Sequence, residues 1–366
     1  MTTRLAILGA TGSIGRQALD VARAHPGRLQ VVAVAADRRR DELAALASEF
    51  GARAATGGSG LRELATADDV DLVLVATPGF AGVEATLAAL EAGKDVALAN
   101  KEVLVVAGHL VRAATGGAGK RLRPVDSEHH ALWQCLEGVP AAQVRRVALT
   151  ASGGAFRDRS PAELARVTPE EALRHPTWTM GPKVTVDSAT LVNKGYEVVE
   201  TRWLYDLPYA RIDIVLHPES VIHALVELAD GSVKAQLAEP DMRIPIQYAL
   251  LWDRALCSAP RLAWDRPRTL GLGPVDPARY PCLEIVLATA RSGDLAAMVG
   301  LSAADELAVD AFLRGEVPFT AIPELLRRGA DLGARFGRGR APYLAEIVAI
   351  DGSVRRALLP AAAGAR

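Results

Sequence analysis

Cysteine is scarce in this chain of 366 residues: Cys135, Cys257 and Cys282 lie far apart and are odd in number. They form no CxxC pair and no disulfide framework, which points to a reducing cytoplasm. Long apolar runs are missing as well. None approaches the ~20 residues that span a bilayer, and the short run in "MTTRLAILGATGSIG" is broken by Gly9, so it reads as a strand rather than a signal peptide. An excess of positive charge is also absent. The formal net charge is -1, which argues against a nucleic-acid partner, although Arg38, Arg39 and Arg40 form a local cluster able to meet a phosphate. Internal repeats are not found. What remains is 50% hydrophobic and 23% charged residues, the balance of a soluble globular protein, long enough for two or three domains.

The first 120 or so residues alternate apolar runs with helical spacing. "RLAILGA", "QVVAVAA", "DLVLVAT" and "DVALA" read as buried strands. Between them Ile14, Ala18, Val21 and Ala22, then Leu43, Leu46 and Phe50, then Val83, Leu87 and Leu90 recur at helical intervals, with Gly93 as a C-cap. Strands apolar on both faces, alternating with helices, argue a parallel sheet with helices on either side. "TGGAGK" (Thr115 to Lys120) is expected to turn. Beyond residue 124 the pattern changes. "RRVALTASGG" and "IDIVLHPESVIHALVELADGSVKAQLA" read as longer strands with a hairpin at Asp230-Gly231. A proline-rich linker follows, and from Cys282 helical patterns dominate through Leu301, Leu307, Val309 and Phe312; the final "PAAAGAR" is expected to fray.

"ILGATGSIG" places Gly9, Gly12 and Gly15 between a strand and a helix. Glycines there allow a tight turn and close approach to a pyrophosphate, while the helix N-terminus supplies N–H groups and positive dipole. The GxxGxxG spacing is weak by itself; its position at the start of a βαβ series makes a dinucleotide site the better reading. After the second strand the signals are split. Asp37 is placed to accept from a ribose 2′-hydroxyl, whereas Arg38, Arg39 and Arg40 suit a 2′-phosphate.

"PVDSEHHA", "LTASGGAFR" and "HPTWTMGPKVTVDSATLVNKGYEVVE" hold more polar residues and glycines than a core needs. Ser188, Asn193 and Lys194 are short donors beside a cation, as a phosphate requires. Asn193 and Glu197 are spaced i,i+4, so both can face one pocket. For Asp126 and Glu128 three readings stay open: a solvated turn, an acid–base pair, or two ligands of a metal whose third would be Glu197. Three carboxylates without cysteine select a hard ion, Mg²⁺ or Mn²⁺, with Co²⁺ also possible. His129 and His130 make zinc thinkable, but adjacent histidines rarely point the same way, so His129 reads as a supporting residue.

Across nearly the whole chain these motifs resemble the 1-deoxy-D-xylulose 5-phosphate reductoisomerase family. The resemblance is carried by "GATGSIG", "ALANKE", "PVDSEH", "LTASGG-FR", "HPTWTMGPK", "VDSATLVNKGYEVVE", "HPESVIH", "DGSVKAQL", "PDMRIPI" and "RYPCL". It implies an α/β architecture: a Rossmann-like NADPH-binding domain (1–123), a central α+β catalytic and dimerisation domain (124–251), a linker (252–278) and a small C-terminal helical domain (279–366). It implies a cytoplasmic homodimer, without nucleic acid or membrane, that converts 1-deoxy-D-xylulose 5-phosphate to 2-C-methyl-D-erythritol 4-phosphate. By motif, Asp126, Glu128 and Glu197 would hold the metal, with Lys101 among the catalytic residues. Ser127, Ser152, His175, Trp178, Ser188, Asn193 and Lys194 would contact substrate, the loop around Trp178 and Met180 serving as lid. Gly9, Thr11, Gly12, Ser13, Ile14, Ala36, Arg38, Asn100, Lys101, Glu102 and Gly181 would line the cofactor. The family chemistry breaks and remakes a carbon–carbon bond beside a metal-chelated ketone and then takes up hydride, so fragments must be held by a lid and a phosphate anchor. Three places depart from the pattern, one being the stretch from Ala54 to Asp69, which is shorter than usual in the family and reads as a trimmed surface loop. Ala36-Asp37-Arg38 replaces the usual sequence after the second strand, leaving Arg38 and Arg39 as candidates for the 2′-phosphate. "SAADE" (Ser302 to Glu306) replaces "NAANE", a change that concerns domain packing. The alternatives are an oxidoreductase acting on another branched sugar phosphate and a non-catalytic nucleotide sensor.

Overall fold

The computed structural model describes residues 2–116 and 121–362. In chain order the elements are β1 (Thr3–Leu8), α1 (Ser13–Ala24), β2 (Leu29–Ala35), α2 (Arg40–Phe50), β3 (Arg53–Ala55), α3 (Gly57–Thr66), β4 (Leu72–Val75), α4 (Val83–Glu91), β5 (Asp95–Leu98), α5 (Glu102–Ala114), β6 (Leu122–Pro124) and α6 (Ser127–Leu136). Then come β7 (Val144–Ala151), α7 (Pro161–Leu164), α8 (Pro169–Ala172), α9 (Pro182–Thr190), α10 (Val192–Tyr205), β8 (Ile212–Leu216), β9 (Ile222–Leu228) and β10 (Val233–Leu237). The chain closes with α11 (Arg243–Leu251), β11 (Gly273–Pro274), α12 (Pro281–Ser292), α13 (Leu295–Leu313), α14 (Ile322–Ala334) and α15 (Leu344–Ala362). They form two compact units: Met1–Val103, Gly108–Glu137 and Ala238–Trp264 in one, and Leu104–Ala107, Gly138–Leu237 and Asp265–Arg366 in the other.

The first unit is built on six parallel strands in the order β3-β2-β1-β4-β5-β6. Every residue of β4 is buried, as the unbroken apolar run demands of a strand covered on both faces. The order reverses between β1 and β4, and open α/β sheets bind ligands at that reversal, beyond the carboxyl ends of the strands. α11 returns to this unit and sets Ile246, Ala249 and Leu250 into the core formed by Leu5, Ile7, Leu19 and Leu72. The trimmed loop expected over Ala54 to Asp69 is instead the edge strand β3 followed by α3. β3 has three residues, too few to show a period, and α3 opens on Gly57, Gly58 and Gly60, poor helix formers held in place by buried Leu61, Leu64 and Ala65. β6, also three residues, is likewise absent from the sequence reading.

The second unit contains a mixed sheet in the order β10-β9-β7-β8-β11. β7 and β8 pair in parallel, and the other neighbours are antiparallel. The β9–β10 hairpin turns at Asp230-Gly231, where Gly231 takes φ +87°. α12 to α15 form the helical C-terminal part, α14 and α15 packing on α13 and α12 packing on α10. The expected turn at Thr115 to Lys120 begins with Gly116 at φ +66° and otherwise lies outside the described residues. α15 continues through Ala362, and the rest of the tail lies outside them too.

Candidate active site

The first unit supplies a cradle for a dinucleotide. Gly9 follows β1 at φ +98°, and a Cβ there would lie 2.4 Å from the Ala76 carbonyl oxygen just beyond β4. A Cβ on Gly15 would lie 2.2 Å from the Gly9 carbonyl oxygen, so the loop closes only with glycine at both places. The loop is tied to the end of β2 by Gly9 N–H and Ala10 N–H, both donating to the Ala35 carbonyl at 2.8 Å. Gly12 caps α1 without any side-chain cap bond, leaving backbone N–H groups at the end of a twelve-residue helix for an anion. Thr11 is buried there, Gly12 and Ile14 are half-buried, and Ser13 reaches solvent. This arrangement fits a pyrophosphate. After β2, Ala36 is buried while Asp37, Arg38, Arg39 and Arg40 are exposed. Arg39 reaches Glu42 at 3.4 Å, but Glu42 is held more closely by Arg16 at 2.7 Å.

At the end of β5 the buried Asn100 spends its amide on structure. Nδ2 donates to the carbonyls of Thr77 (2.6 Å) and Gly79 (2.8 Å), and Oδ1 accepts from Val103 N–H at 3.3 Å. It thereby clamps the start of α5, whose N-cap Lys101 and first residue Glu102 are both buried. Lys101 Nζ lies 2.6 Å from Asp126 Oδ2. Asp126 is the N-cap of α6; its Oδ1 accepts from Ser127 N–H at 3.1 Å, and His129 Nδ1 stands 3.5 Å from Oδ2. Burial alone would raise the Asp126 pKa, but the Lys101 ammonium and the His129 ring outweigh it and hold the carboxyl far below its usual range. Asp126 is therefore ionised, the only form that ligates a hard cation. Ser127 Oγ donates to Glu128 Oε2 at 2.5 Å. The two histidines diverge as expected: His129 approaches Asp126, while His130 meets the Gln134 amide and the edge of Tyr248, with ring centroids 5.0 Å apart.

The second unit gathers the other polar residues. Ser152 follows β7 directly, and Gly153 and Gly154 come next at φ +84° and +71°. His175 Nε2 lies 2.9 Å from Ser152 Oγ and 3.1 Å from Ser188 Oγ. Its Nδ1 accepts backbone N–H from Trp178 (3.0 Å) and Thr177 (3.2 Å), which places the ring proton on Nε2. Burial, aided by the nearby Arg157 guanidinium, pushes the His175 pKa down to about 4, so the ring is neutral. The loop entering α9 is thus pinned at its base by His175, and Thr177 Oγ1 meets Ser220 Oγ at 3.1 Å. The Trp178 ring lies 6.0 Å from the His223 ring, centroid to centroid. Gly181 is the N-cap of α9. On α10, Asn193 Nδ2 donates to Glu197 Oε1 at 2.6 Å, confirming the i,i+4 pairing, and Lys194 forms an ion pair with Glu197 Oε2. Lys194 and Glu197 are both buried, and the cation expected to meet phosphate here neutralises Glu197.

His217 is structural. Its Nε2 accepts from Val221 N–H and Ile222 N–H, at 3.1 and 3.0 Å, and its Nδ1 donates to the Gly271 carbonyl at 2.7 Å. Sequence reasoning gave no role to Arg157, which donates to the Ser152 carbonyl at 3.2 Å and charges the surroundings of His175. Its only trace in the sequence was its place in "ASGGAFR".

A dinucleotide cradle on a parallel sheet, with an ionised carboxylate beside a buried lysine, defines a nicotinamide-dependent oxidoreductase that works on a polar substrate. Comparison with known proteins narrows this. Models of the 1-deoxy-D-xylulose 5-phosphate reductoisomerase family match residues 5–56 and 42–108, and those of its C-terminal domains match residues 122–205 and 237–357. The 1-deoxy-D-xylulose 5-phosphate reductoisomerase of Thermomicrobium roseum is 48% identical over 351 residues, covering 90% of this chain and 91% of its own. That of Geobacillus kaustophilus is 47% identical over 375 residues, covering 96% and 97%. A crystal structure of DOX-P reductoisomerase with NADPH, fosmidomycin and magnesium aligns with TM-score 0.93 at 36% identity over 98% of both chains. The Zymomonas mobilis enzyme with NADPH aligns at 0.88 and 36% over 100% of both. The chain belongs to the 1-deoxy-D-xylulose 5-phosphate reductoisomerase family, and it is an NADPH-dependent reductoisomerase.

Proposed function

We propose that the chain converts 1-deoxy-D-xylulose 5-phosphate to 2-C-methyl-D-erythritol 4-phosphate with NADPH and a divalent ion, and that the motif-matched residues divide the work as follows. Asp126, Glu128 and Glu197 hold Mg²⁺ or Mn²⁺. Support comes from the donor set, all carboxylate, and from the Lys101 pairing that keeps Asp126 ionised. When bound, the ion supplies Lewis-acid polarisation of the substrate ketone and its neighbouring hydroxyl, and NADPH supplies hydride. Ser127 orients the substrate backbone. Lys101 places a positive charge where negative charge develops on the reacting oxygens. Ser152, Ser188, Asn193 and Lys194 anchor the phosphate, with His175 donating from Nε2. That unreacting group retains the two fragments between carbon–carbon cleavage and rejoining. Trp178, Met180 and the backbone around them form a lid that excludes water.

Gly9, Thr11, Gly12, Ser13 and Ile14 hold the pyrophosphate, Ala36 and Arg38 the adenosine end, and Asn100, Lys101, Glu102 and Gly181 the nicotinamide side. The functional division stays in four parts: cofactor binding in 1–123, catalysis and dimerisation in 124–251, a linker over 252–278 and a helical domain over 279–366. A homodimer is supported by the edge strand β10, which leaves Val233 53% and Leu237 36% exposed. A cytoplasmic location is supported by the cysteine usage, three residues far apart and odd in number. Among the described residues no helix is long and apolar enough to cross a membrane. The observation that carries the proposal is the ion pair between buried Lys101 and half-buried Asp126 at the head of "DSEH". The test is NADPH oxidation with deoxyxylulose phosphate, with and without EDTA, on the wild type and Glu197→Gln. EDTA and the variant should each abolish turnover while NADPH binding, followed by fluorescence, persists. Wild-type turnover by Glu197→Gln would remove Glu197 from the metal set.

A further inference from the structure

Four side chains that have no place in the scheme above meet where α9, α10 and α13 come together. Lys183, in the first turn of α9, sets Nζ 2.6 Å from Asp187 Oδ2, one turn along the same helix, and 2.7 Å from Asp305 Oδ2 on α13. Tyr196 of α10 donates its hydroxyl to the same Asp305 oxygen at 3.2 Å, and the Lys183 ammonium lies 5.1 Å from the centre of the Tyr196 ring. Asp305 and Tyr196 are fully buried, and Asp187 is 2% exposed.

Stability alone is a poor reason for such a cluster. Buried ion pairs are expensive to desolvate, and apolar residues of the same volume often serve as well. What the cluster specifies is geometry. α9 and α10 are separated by one residue, Leu191, in the left-handed region at φ +58°, so the angle between them is set by what holds each helix. Asp305 reaches both, through Lys183 on α9 and Tyr196 on α10. α10 has no slack of its own: a Cβ on Gly195 would lie 2.7 Å from Val286 Cγ1 of α12. Asp187 immediately precedes Ser188, and Tyr196 stands two residues after Lys194.

We propose that Lys183, Asp305 and Tyr196 are positioning residues that fix the α9–α10 angle across Leu191, and with it the spacing of Ser188 from Asn193 and Lys194. The inference rests on those three residues binding the substrate phosphate, as proposed above. It gives the C-terminal helices a task in substrate binding, delivered through one carboxylate.

The experiment uses the full-length enzyme with Asp305→Ala, Asp305→Asn, Lys183→Met and, as reference, Ser188→Ala. KM for deoxyxylulose phosphate, KM for NADPH, kcat and thermal stability are measured for each. Asp305→Ala and Lys183→Met should raise the substrate KM roughly 10- to 100-fold, the cost of a displacement near 1 Å at a binding group. The NADPH KM should stay at the wild-type value. Asp305→Asn keeps an acceptor for both partners and should recover most of the loss. Lys183→Met takes the cation from beside two buried carboxylates, Asp187 and Asp305, so it should lose stability as well; Asp305→Asn, which removes charge but keeps an acceptor, separates the KM effect from that loss. A substrate KM that stays at the wild-type value in both variants, or rises only together with the NADPH KM, overturns the inference while Ser188→Ala still raises the substrate KM. If Ser188→Ala leaves that KM unchanged, the phosphate-site assignment falls, and the positioning role falls with it.

Discussion

Gly153 and Gly154 allow the geometry of the proposed phosphate site to be probed by two neighbouring substitutions that differ in one respect. Both glycines adopt left-handed backbone, at φ +84° and +71°, so alanine at either costs about 1–2 kcal/mol in conformation. Their surroundings differ. At 153 the new Cβ meets side chains only: Arg157 Cβ at 2.8 Å, which gives way only with a small shift of its own loop, and the far ends Tyr280 Oη at 3.2 Å and Arg157 Cδ at 3.3 Å, which can turn aside. At 154 it meets backbone: the Ser188 carbonyl oxygen and Ala189 Cα at 2.5 Å, and Ala189 N at 2.7 Å. Ordinary contact begins near 3.4 Å, so the end of α9 must retreat by close to an ångström, taking Ser188 with it. Gly153→Ala should therefore lose about 1–2 kcal/mol of unfolding free energy and keep kcat/KM within about tenfold. Gly154→Ala should lose a further 1–3 kcal/mol or so from overpacking, and kcat/KM should fall by about 10². Denaturant unfolding and steady-state kinetics on the pair decide the matter. Equal kcat/KM in the two variants would show that the seat of Ser188 against Gly154 is irrelevant to turnover.

Two further outcomes follow from the site. His175 is held neutral in the folded chain, its pKa pushed down to about 4 by burial and then by Arg157, against an unfolded value near 6.5. As pH falls the unfolded chain takes up the proton first, so the stability contributed is complete above about pH 6.5 and is lost on the way down to about 4. Discounted for partial exposure, that is roughly 1–2 kcal/mol, and wild type should lose that much more than His175→Leu between the two pH values; parallel losses would refute it. For the cofactor, replacing Arg38 and Arg39 together by alanine should raise the NADPH KM by roughly 10- to 100-fold and the NADH KM far less, because only NADPH carries the 2′-phosphate. An equal rise for both cofactors would place that contact elsewhere.

The parts legible in the sequence were those with local periodicity or local chemistry. β1, β2, β4 and β5 announced themselves as apolar runs because both their faces are buried, and Gly9, Gly12 and Gly15 because a tight turn is a local constraint. β3 and β6 failed the same test for want of length, and α3 because its first turn is glycine. Asn193 and Glu197 were paired in advance because helix geometry fixes which residues share a face. His175, by contrast, is joined to Ser152 from 23 residues away, and Lys183 to Asp305 from far along the chain on a separate helix. No window along the sequence reports such contacts. A weaker signal did exist for Asp305: an aspartate in "LAAMVGLSAADELAVDAFL" is costly in a buried helix unless something pairs with it. Reading "SAADE" as a matter of packing found the location of that cost without its partner.

The same cost explains the lysines. Asp126 in one unit is half-buried and Glu197 in the other is buried, and each has an ammonium from its own unit beside it, Lys101 for the first and Lys194 for the second. Without that pairing, desolvation would favour the protonated form of Asp126, which binds hard cations poorly. With it, Asp126 is held ionised, and each unit folds without an isolated buried charge. The lysines of "ANKE" and "VNKGYE" are therefore explained by what they do for the neighbouring carboxylate before they are explained by anything they do for a substrate.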